Sequence, residues 1–86
     1  MTPEQTIRAA ARIQEFLKDE AIAKAFERME RRVYEEFVAA ESAEQRVRAW
    51  AKAAALKMFE GEVQSILDAG ETEVLKAAKA AASPQR

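Results

Sequence analysis

An all-α fold, built on an antiparallel helical hairpin with an N-terminal third helix and a short C-terminal one, is what this 86-residue sequence predicts. Three observations carry the expectation. Apolar residues recur at three- and four-residue spacing through most of the chain. Only two glycines and two prolines interrupt it, leaving little room for strands or long loops. Glu41-Ser42-Ala43-Glu44-Gln45 reads as a stop followed by a restart. There Ser42 caps the orphan amides of a new helix and Gln45 closes a capping box.

The first helix is predicted over 3–17. Thr2 is its cap, Pro3 suits the first helical position, Glu4 favours the positive end of the dipole and Gln5 completes a capping box. Its inward stripe is Ala9, Ala10, Ile13, Phe16 and Leu17, with Arg8, Arg12 and Glu15 left to water. Asp19 caps a second helix over 20–40, separated from the first by a short kink. Ile22, Phe26, Met29, Val33, Phe37 and Ala40 form its seam. Glu20/Lys24 and Glu27/Arg31 stand on its outer face in the favourable order for ion pairs.

The third helix is predicted over 43–69, closed by Gly70 as its left-handed cap. Its apolar residues divide between two sides. Val47, Trp50, Ala51, Ala54 and Met58 cluster on one, and Leu56, Phe59, Val63, Ile66 and Leu67 on another, roughly 150° away. Two covers can account for this: helices 1 and 2 each taking one half, or another chain taking one of them. A short helix over 73–82 follows, with Val74, Leu75, Ala78 and Ala81 as a weak apolar side. Residues 83–86 read as a frayed tail. The whole is one domain, 1–82.

Composition bounds the function. Hydrophobic residues make up 49% of the chain, yet much of that is alanine. Only about twenty larger apolar side chains remain, a thin core for a domain of this size. The charged fraction is 34% with a net charge of −1, so no polyanion-binding excess exists. There is no cysteine and no histidine. That removes disulfides, thiolate sites, imidazole metal ligands and a histidine general base for Ser42 or Ser65. The carboxylate pairs Glu27/Glu30, Glu35/Glu36 and Glu60/Glu62 fall on solvent faces among Lys and Arg. Acid–base work needs surroundings that drive two pKa values apart. No calcium loop or glycine-rich phosphate cradle occurs. The expectation is therefore no enzyme, no catalytic residue, no metal, no cofactor and no small-molecule substrate. No apolar run is long enough to span a bilayer, and the first residues lack the pattern of a secretory signal.

What remains is surface. Tyr34 and Val38 lie off the seam of the second helix. With Leu56, Phe59, Val63, Ile66 and Leu67 they form the expected protein interface. Trp50 is expected to pack on Phe37, with an interface role as the alternative. A nucleic-acid reading rests on Arg28, Arg31, Arg32, Arg46 and Arg48, supported by Lys52 and Lys57. Interleaved Glu27, Glu30, Glu35 and Glu36 weigh against it, because phosphate binding needs an uncompensated positive stripe.

Two stretches carry a family likeness. One is Phe16-Leu17-Lys18-Asp19-Glu20-Ala21 leading into Ala25-Phe26-Glu27-Arg28-Met29-Glu30. The other is Arg48-Ala49-Trp50-Ala51-Lys52-Ala53 followed by Gly61-Glu62-Val63-Gln64-Ser65-Ile66-Leu67-Asp68-Ala69-Gly70. Across residues 16–70 the chain resembles small helical proteins encoded by tailed bacteriophages and prophages near virion genes. An Asp-Pro often opens the second helix in that group; here Glu20 stands in the proline's place. The resemblance implies a virion structural or assembly component, in the host cytoplasm or the virion, that binds itself or a larger protein. The alternatives are a DNA-packaging accessory and a phage-encoded inhibitor of a host protein.

Overall fold

The computed structural model describes residues 1–82 and contains three helices among them: α1, Pro3–Lys18; α2, Glu20–Ala39; and α3, Ala43–Ala82. The expected tail over 83–86 lies outside the described residues.

Each start is a capping event written in the sequence. The Thr2 hydroxyl accepts from the Gln5 amide at 3.2 Å, and the Gln5 side chain accepts from the Thr2 amide at 2.9 Å. That is the reciprocal box expected there. Asp19 ends α1 and begins α2 by itself. Its amide donates back to the Phe16 carbonyl, while its Oδ1 accepts from Ala21 and Ile22 at 2.8 and 3.3 Å. One residue in extended conformation (φ −64°, ψ 124°) thus breaks the rod and satisfies the new helix's first donors. At the second break, Ser42 Oγ accepts from the Gln45 amide at 3.1 Å. The Gln45 side chain reaches one residue further than a capping box requires, accepting from Glu41 at 2.7 Å.

The expected stop at Gly70 does not occur. α3 runs through it without a break to Ala82, so no separate helix over 73–82 exists. Gly70 is buried and keeps a negative φ. A Cβ built on it would collide with the Cβ of Ala10. The glycine is there for close approach of α1 to α3, the other need that only a missing Cβ meets.

Contacts with α3 climb it as residue numbers fall along α1 and α2. Glu36 meets Lys52, Phe26 stacks on Phe59 and Ala10 touches Gly70. α2 therefore covers the first part of α3 and α1 the second, with few contacts between α1 and α2 themselves. At 1.5 Å per residue, forty residues of α3 make a rod of about 60 Å. The molecule measures 69 × 26 × 18 Å. Its radius of gyration is 18.8 Å, against about 12 Å for a compact chain of this length.

Such a shape has almost no interior. Among the described residues Ala10 and Ala49, 7% and 2% exposed, are the buried hydrophobic ones, and no large side chain is fully enclosed. Ile7, Ile13, Ile22, Phe26, Val33, Leu56, Val63 and Leu67 are half-buried along the contact line.

Candidate functional site: the exposed apolar faces

α3 carries two apolar faces, and the one that meets its neighbours is not the one its largest residues suggest. Ala49, Leu56, Val63, Leu67 and Gly70 fall within about 60° of one another on the helical wheel. This inward stripe is continuous from Ala49 to Gly70. Its first part is small: Ala49 packs near Ala39 of α2 and Ala40, the residue that ends it, with Lys52 bridging to Glu36 at 2.9 Å. Small side chains let two backbones close up beside a tight turn. A tryptophan there would hold them apart.

Trp50 accordingly points away. It is 66% exposed, and Val47 and Met58 are exposed on the same side, opposite the inward stripe. The expected packing of Trp50 on Phe37 is not found, since Phe37 is itself exposed. Among the described residues the aromatic pair is Phe26–Phe59, with ring centroids 5.9 Å apart and planes 18° from parallel. Offset stacking of this kind contributes about 1 kcal/mol beyond the area it buries. Phe16 and Leu17 are likewise more exposed than the inward stripe of α1 anticipates, although Leu17 lines a groove with Phe26 and Val63.

The seven expected interface residues separate into three groups. Tyr34 and Val38 are exposed on α2. Val63 and Leu67 are half-buried against Leu17 and Phe26. Leu56 and Phe59 line a groove of about 560 Å³ between α2 and α3, with Met29, Val33 and Ala55 as its other apolar walls and Arg32, Glu36 and Lys52 at its edges. Ile66, 38% exposed, continues the apolar strip beyond the groove towards Ala9 of α1. Sequence reasoning missed Met29, Val33 and Ala55 as lining residues of this groove. Ala55 and Phe59, four apart, and Ile66, seven further on, are a period-3.5 signal that could have indicated it.

The arginines are dispersed. Arg31 pairs with Glu27 at 3.6 Å and Arg48 with Glu44 at 2.8 Å, both between turns of one helix. Arg28, Arg32 and Arg46 are in no ion pair among the described residues. The expected Glu20/Lys24 pair does not form, whereas Glu27/Arg31 does. Among the described residues no group of three or more acidic side chains converges on a point where a cation could sit. Among the described residues no helix is long and apolar enough to cross a membrane either.

These features define a class: an extended all-α chain whose apolar residues lie mostly on its surface. No family model matches the chain, and no curated protein or solved structure matches it.

Proposed function

We propose that this chain is a non-enzymatic helical interaction protein, a hairpin with one arm broken at Asp19, which presents apolar helix faces to itself or to a larger protein. The resemblance of residues 16–70 to phage-encoded helical proteins supplies the setting, a virion structural or assembly component. The single observation supporting the reading is that no large side chain among the described residues is fully enclosed, while Met29, Trp50, Met58, Phe59 and Ile66 stay exposed. A folded chain must offset about 1–2 kcal/mol of conformational entropy per ordered residue. Burial at about 25 cal/mol per Å² does that, and here much of the apolar area remains uncovered. Association completes the burial.

Ile66→Asp tests this. Ile66 is part-covered, at 38% exposure beside Ala9, and holds no enclosed position, so the variant loses some stability, keeps its helix content by circular dichroism and loses association by sedimentation. Unfolding of the dilute monomer by this substitution would place Ile66 in an internal core and overturn the reading.

A further inference from the structure

We propose that the groove between α2 and α3 is closed by a second copy of this chain, related by a two-fold axis passing near Phe59, with Arg32 of each copy paired to Glu62 of the other. The inference rests on the interaction-protein reading and gives it a partner.

Area is the first argument. The chain exposes 7323 Å², whereas a compact monomer of its mass, 9.6 kDa, exposes about 5,100 Å². The surplus, roughly 2,000 Å² per chain, is what large obligate homodimers hide. A rod 18 Å thick is two helices deep. Laying a second rod along its apolar flank makes a four-helix cross-section with an interior, the usual solution for paired helices.

The flank itself selects the face. Ala55, Phe59 and Ile66 lie within about 40° on α3, beside Met29 and Val33 of α2. Glu62 lies about 20° beyond the edge of this strip, at the position where the three-four spacing calls for a seam residue. It is exposed and forms no ion pair among the described residues. Arg32 is also exposed and unpaired there, and it edges the same groove at the level of Ala55 and Leu56. Two-fold symmetry then makes a specific statement. An axis near Phe59 carries Glu62 of one copy to the level of Leu56 in the other, beside Arg32. One charge in the seam and one at its edge, of opposite sign, satisfy each other twice in an antiparallel pair. A parallel pair would set Glu62 against itself.

The experiment is charge exchange, read by sedimentation equilibrium of the full chain with helix content and hydrophobic-dye binding recorded on the same samples. The native chain is expected at twice the monomer mass. Glu62→Arg and Arg32→Glu, each at an exposed unpaired site, leave helix content intact and weaken the dimer by about tenfold or more. Combining the two restores it. Ala55→Arg, which places a charge in the groove, weakens it by about 100-fold. A native chain that is monomeric overturns the proposal. If that monomer binds the dye, its apolar face belongs to a different protein and the interaction reading stands. A monomer that binds none removes both. Single reversals that weaken the dimer without mutual rescue overturn the two-fold pairing.

Discussion

The two ends of α3 solve the same packing problem with opposite means. Towards Ala43, the helix meets α2 through alanines and an ion pair, and its bulky apolar residues point outward. Beyond Glu60, it meets α1 through Val63, Leu67 and Gly70, and little that is large and apolar stands on the far side until Leu75. The first half spends its small residues on intimacy with its own chain and keeps its large ones exposed. The second sets Val63 and Leu67 against its neighbours and leaves Ile66, Val74 and Leu75 exposed. Position relative to the turn explains the difference. Beside Ser42 the two backbones are forced together by a short connection, so only small side chains fit. Further along, α1 is free to stand off, except where Gly70 lets it close again on Ala10.

Enlarging the small contact near the turn gives the largest expected effect. Ala49, 2% exposed, has no room to grow. Ala49→Leu should cost about 3 kcal/mol, at the upper end of overpacking penalties, because the short connection prevents the helices from separating. Denaturant titration at fixed chain concentration measures it, since association would otherwise shift the midpoint. A variant as stable as the native chain would mean that the α2 end is looser than its geometry.

Gly70→Ala is the matching change in the other half, and two terms compete. Alanine favours a helix interior over glycine by about 1 kcal/mol. Against it stands the collision with Ala10, worth about 2 kcal/mol if the neighbours give way only in part. The net expectation is a loss of about 1 kcal/mol, concentrated in α1. Amide hydrogen exchange should therefore quicken over residues 3–18 more than over α2. Gly61 provides the contrast, since a Cβ there meets nothing within 4 Å. Only the propensity term remains, and Gly61→Ala should stabilise by about 0.8 kcal/mol. Opposite signs at two glycines of one helix would separate packing from propensity within a single molecule.

These comparisons also show what was legible beforehand. All three helix starts followed from local chemistry, because Thr2, Asp19 and Ser42 act on amides two or three residues away. The end of α3 did not, since a glycine that terminates a helix and a glycine that admits a neighbour are identical in sequence. What decides between them is Ala10, far away in the chain. The inward face of α3 was misread for a related reason. Periodicity weights residues by size, so Val47, Trp50 and Met58 outvoted Ala49 and Ala53, although close approach selects small side chains. The residues expected to form one interface do not share one face: Phe59 and Ile66 lie along one flank, Leu56, Val63 and Leu67 belong to the inward stripe, and Tyr34 and Val38 stand exposed on α2. Relative rotation of helices is set by contacts between them, which no local pattern encodes.

Trp50 carries the smallest predicted stability effect and the sharpest check on which face is inward. As the single tryptophan of the chain, it reports its own surroundings without interference. Exposed at 66%, it should emit at long wavelength and be readily quenched by iodide in the monomer. Trp50→Ser removes a large side chain that touches little of its own chain. Its cost to the fold should stay within about 0.5 kcal/mol, the range of ordinary surface substitutions. A buried tryptophan would instead cost about 3–5 kcal/mol on truncation. The two values are far enough apart that one denaturant curve distinguishes them. A large loss would rotate α3 by about half a turn from its present seat, returning Val47, Trp50 and Met58 to α2 and bringing Ala49 to the surface.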